Sequence, residues 1–271
     1  MNRPFSMFAI ALLFSSFGCL GTPPGGEEVD QGGTLDAERP REDAGGRLSD
    51  VADDDNATDA EPSVTPPELP QDYVRSSRFE RLRLVIDHAD GITPRRAATD
   101  HVVGELGAAL DKPGGVDVEL RDVVETAGSG HVWTFEELTA LADERFGPGY
   151  SKEAIEIGVL YLDGTYEDDT DDSRVLGVAW ANRYIVMFAD SLDEACGTSL
   201  LPGICDAAEA SVLLHEVGHV IGLVDNGAKM TADHKDPTHG KHDVSDDCVM
   251  YWAYTNSSII ETLVARIGTG D

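Results

Sequence analysis

The first regular pattern begins near Arg78. Arg81-Leu82-Arg83-Leu84 alternates, then becomes apolar through Val85-Ile86 before Asp87, which suits a sheet strand. Val102, Val103, Leu106 and Leu110 recur at helical spacing and predict a helix over 99–110. Val116 to Val124 alternates again as a strand. Thr134-Phe135-Glu136-Glu137 has the form of a capping box. It opens a helix to about Phe146, which Gly147-Pro148-Gly149 stops. Ile155 to Leu162 is a third strand, and an acidic loop, Glu167 to Asp172, follows it. Val175 to Ala181 and Tyr184 to Ala189 form an antiparallel hairpin around Asn182-Arg183. A helix runs from Asp206 or Ala207 to Leu223. An irregular stretch then leads to Cys248, and Ser258-Ile259-Ile260-Glu261 starts a short last helix. No repeat is visible. The expected class is α+β: a mixed sheet with early helices, one later helix, and a loop-rich C-terminal third.

Upstream, the pattern changes. Arg3 and the apolar run Phe5 to Phe17 have the layout of an export signal, ending in Ser16-Phe17-Gly18-Cys19. Small residues before a cysteine are similar to a bacterial lipobox, in which Cys19 would be lipidated, although Ser16 stands where leucine is usual. A plain secretory signal is the alternative. Residues 20–74 are rich in Pro, Gly, Asp and Glu and nearly lack aromatics, so they cannot bury enough apolar surface to offset their ordering entropy. The division expected is therefore 1–19 signal, 20–74 disordered acidic tether and 75–271 folded domain. The expected location is a membrane-anchored lipoprotein at the outer membrane or cell surface, or a secreted protein.

Charge narrows the partners. The 271 residues hold 20 Lys+Arg against 51 Asp+Glu, a net charge of −31. Such a polyanion is repelled by nucleic acid and by anionic lipid, so a basic surface for either is excluded. No apolar run reaches the roughly 18–20 residues of a membrane-spanning helix. In an exported protein Cys196 and Cys205, either side of a short segment with Pro202 and Gly203, are expected to form a disulfide.

The chemistry lies in His215-Glu216-Val217-Gly218-His219. Histidines at i and i+4 share one helix face and can grip one zinc ion. Glu216, offset by one residue, can reach a water on the open side of the metal and act as its general base. The flanks Val212-Leu213-Leu214, Val217 and Val220-Ile221 are apolar, and polar groups on a buried helix are costly without a ligand. A catalytic zinc normally has three protein ligands. Asp225, six residues after His219, stands at a favourable spacing, and His234, His239 and His242 follow in the loop.

Two further features extend the pattern. Gly222 follows His219 at the spacing of the long motif H-E-x-x-H-x-x-G-x-x-H, and Cys248-Val249-Met250-Tyr251 looks like a Met-turn. Residues 211–252 resemble the metzincin clan of zinc metallopeptidases, and within it bacterial lipoprotein "membrane metalloproteases". The resemblance implies a metzincin-like domain with Met250 packed beneath the metal and Val175–Ala181 at the sheet edge, where an extended peptide adds as a strand. It also implies a loop histidine, His234 or His242, as third ligand, because that family often has Asn at the position of Asp225. It often has a cysteine at the position of Asp243, which leaves the partner of Cys248 open. Glu167–Asp172 and Asp246-Asp247 are weak calcium candidates that fit no EF-hand spacing. The expected protein is a monomeric, exported zinc peptidase. Its rivals are a catalytically silent surface-binding lipoprotein, which would have no use for Glu216, and a zinc hydrolase of non-peptide bonds.

Overall fold

The computed structural model describes residues 66–197, 201 and 203–269. The lipidation site expected at Cys19 and nearly all of the expected tether lie outside them. A five-stranded sheet in the order β2-β1-β4-β7-β6 organises the rest. Its strands are β1 (Arg81–Ala89), β2 (Gly115–Val124), β4 (Ala154–Leu162), β6 (Gly177–Trp180) and β7 (Tyr184–Phe188). β1 pairs in parallel with β2 and β4, β4 in parallel with β7, and only the β6–β7 pairing is antiparallel. β3 (Val132–Trp133) and β5 (Thr165–Tyr166) form a separate small parallel pair.

Parallel strands need crossovers that cover the sheet, so they are buried on both faces and read as near-continuous apolar runs. β4 and β7 are such strands: Ile157 and Val159 are buried towards one face and Leu160 and Leu162 towards the other, and all of β7 is buried. On one face, α3 (Phe135–Arg145) packs Leu138 and Ala142 against Val85, Leu160, Val186 and Phe188. Thr134 caps this helix, accepting from Glu137 N at 3.2 Å while Glu137 Oε2 accepts from Thr134 N at 2.8 Å. The other helices of the sheet are α2 (Arg96–Ala109), against β2, and α5 (Ile204–Val220), against β6 and β7 and flanked by α2, α4 (Ala189–Cys196) and α6 (Ile259–Thr269). The expected α+β class is thus corrected to a mixed α/β architecture with a mostly parallel sheet, while the expected antiparallel strand does lie at the sheet edge.

Two boundaries also differ. The strand expected to reach Ala189 ends at Phe188, and α4 begins at once, with Ser191, Leu192 and Cys196 buried. It is only eight residues long, follows a strand directly and has no side-chain cap, so it leaves no clear start signal to read. A disulfide joins Cys196 to Cys205 across a Cα separation of 5.3 Å and ties α4 to the first turn of α5. The folded domain also takes in residues before the expected start at 75. α1 (Gln71–Val74) buries Tyr73, and Lys112 Nζ donates to the carbonyl oxygens of Asp72, Arg75 and Phe79 at 2.6–2.7 Å. That anchor comes from a residue some forty positions away, which local composition cannot reveal.

Candidate metal centre

α5 is 17 residues long and buried nearly all round. A helix enclosed on every side carries no amphipathic stripe, and it can hold polar groups in its middle only where those groups face one another or a ligand. His215 and His219 lie one turn apart, with Nε2 atoms 3.0 Å from each other. Two nitrogens on one tetrahedral zinc at ordinary bond lengths would be about 3.3 Å apart. His242, from the loop after α5, completes a trio whose ligand atoms all lie within 4.8 Å of one another. The ring centroids are 4.7, 5.0 and 5.1 Å apart. Among the described residues this is the only group of three or more His, Cys, Asp or Glu able to hold a metal ion.

Hydrogen bonds set the tautomers of two of the rings. His215 Nδ1 lies 2.7 Å from Val249 O, and His242 Nδ1 lies 2.5 Å from His239 O. A carbonyl oxygen only accepts, so both Nδ1 atoms carry the proton and both Nε2 atoms present a lone pair. Burial first, and then the neighbouring rings of His219 and His242, hold the His215 imidazolium far below its ordinary range. Burial, with His242 and Lys241 nearby, brings His219 down to about 3, and burial lowers His242 as well. The three rings are therefore neutral bases at pH 7, the form that binds a metal.

Glu216 is buried, and its Oε1 has no hydrogen-bond partner among the described residues; neither has His242 Nε2. Burial pushes the Glu216 carboxyl up to about 8. A dication held by the adjacent imidazoles would meet the lone pairs, and its charge would draw the carboxyl back to its ionised form. The donor set, three neutral nitrogens with a carboxylate beside them, fits zinc.

Two glycines let other elements approach this helix. A Cβ on Gly218 would lie 2.2 Å from Met250 Sδ, so Met250 packs directly under the turn that joins the two histidines. A Cβ on Gly177 would lie 2.9 Å from Glu216 Cγ, so the edge strand β6 runs against the carboxylate. Beyond Val220 the chain reverses at Gly222, whose φ is +89°. Leu223 N donates to Gly218 O and Gly222 N to His219 O, a Schellman termination.

The other third-ligand candidates sit elsewhere. Asp225 accepts from Lys235 Nζ at 2.9 Å, and His234 pairs with the buried Asp243 at 2.7 Å. His239 stacks on Trp252, with centroids 4.4 Å apart, and bonds Asp236. In the acidic loop, Asp169 accepts from Val175 N and Glu167 from Phe135 N. Sequence reasoning missed Asn182 and Asn226, both of which donate to the His219 carbonyl; the Asn226-Gly227 pair reads only as a turn.

No protein-family model matches this chain, and no curated protein matches it. Among solved structures it is similar to archaemetzincin from Methanopyrus kandleri, at 15% identity and a TM-score of 0.40, over 70% of this chain and 99% of that one. It is also similar to a zinc-dependent peptidase from Methanocorpusculum labreanum, at 16% identity and a TM-score of 0.41, over 62% of this chain and 87% of that one. Likenesses this distant carry no functional inference.

Proposed function

We propose that this chain is an exported zinc-dependent peptidase in which His215, His219 and His242 hold one zinc ion and Glu216 is the general base. One observation carries the reading: three neutral imidazoles converge beside a buried carboxylate whose Oε1 has no partner among the described residues. Bound zinc would supply Lewis acidity toward a water and a carbonyl oxygen. Glu216 takes a proton from the attacking water and returns it to the departing amine. Val249 O and His239 O keep two of the imidazoles in the tautomer that leaves Nε2 free. Met250, in what we read as a Met-turn, is the floor of the site.

A peptide substrate suits the edge strand. β6 ends the sheet order, and Gly177 lies against Glu216. An extended backbone added along β6 would run past the carboxylate, which favours peptide bonds over the non-peptide alternative. A buried glutamate whose Oε1 has no partner among the described residues argues against a silent binding protein. The leader and the lipid anchor at Cys19 belong to this proposal on sequence grounds alone.

The test measures zinc content and hydrolysis of unfolded casein on purified protein. Glu216→Gln should keep one zinc per chain and lose about 10²–10⁴-fold in rate. His242→Ala should lose the metal, whereas Asp225→Ala and His234→Ala should keep it. Near-wild-type turnover by Glu216→Gln at matched zinc would refute the role of the glutamate.

A further inference from the structure

The metal trio is drawn from two stretches of chain that local structure does not connect. His215 and His219 ride on α5, whereas His242 comes from the loop, more than twenty residues after His219. Ligands on separate segments need something to fix their spacing, because an error of even a fraction of an ångström in a ligand position weakens a tetrahedral site.

We propose that Asn226 is a positioning residue for the metal ligands, bridging the carbonyl of His219 to Lys241, the residue before His242. Asn226 Nδ2 donates to His219 O at 2.7 Å, and Asn226 Oδ1 accepts from Lys241 Nζ. The amide has one orientation here: turned over, it would point its oxygen at a carbonyl and its NH₂ at an ammonium. One short side chain thus holds the end of the metal helix and the loop that delivers the third imidazole.

Two more observations point the same way. Asn182, in the β6–β7 turn, donates through Nδ2 to His219 O, Val220 O and Asn226 O at 3.1–3.3 Å, so the hairpin beside the site fixes both the helix end and the backbone of Asn226. Val224 and Asp225 hold φ values of +51° and +59°. A β-branched valine rarely adopts this left-handed backbone, and it does so here with its side chain buried against Cys248 and Met250. The unfavourable turn immediately precedes Asn226, and burial beneath the site maintains it. Strain of this kind persists where the surroundings over-determine it, commonly at functional sites.

The inference rests on the ligand set proposed above and separates from it by experiment. Full-length wild type, Asn226→Ala, Lys241→Met, their double variant, Lys241→Arg and His242→Ala are compared. Zinc dissociation constants come from chelator competition, the visible spectrum of the Co²⁺ form reports ligand geometry, and metal-free melting controls for folding. Asn226→Ala and Lys241→Met should each weaken zinc about 10–100-fold and change the Co²⁺ bands, with little shift in metal-free melting. Lys241→Arg keeps a donor for Oδ1 and should stay near wild type. The double variant should lose no more than the worse single one, because both changes break one bridge. A residue that only caps the helix would lower metal-free melting and leave zinc affinity alone. That result, or wild-type affinity in both single variants, would overturn the positioning role. Wild-type zinc affinity in His242→Ala would overturn the ligand set itself, and the bridge with it.

Discussion

Gly218→Ala tests how tightly Met250 is packed under the metal helix. The added Cβ would lie 2.2 Å from Met250 Sδ and 3.3 Å from its Cε. Comfortable contact is roughly 3.5–4.0 Å, so the sulfur must retreat by about 1.5 Å. Met250 is fully buried and packs with Val224, Cys248, Leu223, Met230 and Val249, and interiors at ordinary packing density leave little room for its sulfur to move. Overpacking of this kind costs about 1–3 kcal/mol, whereas replacing a helical glycine by alanine returns up to about 1 kcal/mol. The net expectation is a loss of about 0–2 kcal/mol, or up to roughly 8 °C in melting temperature for a domain of this size. The effect on metal should be larger than the effect on fold. Val249, next to Met250, supplies the carbonyl that His215 Nδ1 bonds at 2.7 Å, so displacing Met250 loosens that ring. We expect zinc affinity to fall about tenfold or more. A double-mutant cycle isolates the contact. Met250→Ala alone should cost about 2–5 kcal/mol through its cavity, but in the Gly218→Ala background it should cost about 1–3 kcal/mol less, because it also relieves the clash. Urea denaturation of the four metal-free proteins, with zinc titration of each, measures both quantities. Strict additivity, or a Gly218→Ala protein with wild-type zinc affinity, would refute the reasoning.

Two other expectations concern stability. In the metal-free protein, burial and the neighbouring rings keep His215 far below its ordinary range and His219 at about 3, so both stay neutral when folded and take up protons on unfolding below about pH 6.5. Each ring's contribution to stability should therefore fall as pH drops from about 6.5 toward 3, by about 1.4 kcal/mol per pH unit, while the Glu216 carboxyl, pushed up to about 8 by burial, offsets one ring's slope down to about pH 4.5. His219→Gln should remove about one proton from that slope, and an unchanged slope in urea melts across this range would contradict the assignment. Lys112→Met should destabilise the protein by roughly 3 kcal/mol, because three backbone carbonyls lose their shared donor. A loss below about 1 kcal/mol would show that the N-terminal segment is held by other means.

What the chain discloses by itself is local. Thr134 and Glu137 announce the start of α3 because a capping box closes within four residues. The apolar runs of β4 and β7 mark buried strands. Histidines four apart on a helix must share a face, so the meeting of His215 and His219 follows from helix geometry alone. Even the β6–β7 reversal was visible around Asn182, although its two left-handed residues are Ala181 and Asn182, closed by Arg183 N to Trp180 O at 3.1 Å. The register pairs Trp180 with Tyr184, so the loop is the three residues 181–183 and its left-handed pair lies one residue earlier than Asn182-Arg183; the contacts that Asn182 makes to the end of α5 hold it there.

Spacing could not choose among Asp225, His234 and His242. Asp225 is nearer in sequence, but the left-handed pair Val224-Asp225 leaves its carboxylate exposed beside Lys235, while the more distant His242 is brought back to the helix. The boundary at residue 75 was hidden for a related reason: a Pro-rich stretch looks unstructured until Lys112 and the core accept it. Capping, periodicity and same-face spacing are settled within a few residues by bonds the chain makes to its neighbours. The path of a long polar loop carries no such code. Its direction is set by a few αL residues and by hydrogen bonds between distant positions, which exist only once the sheet and α5 are assembled.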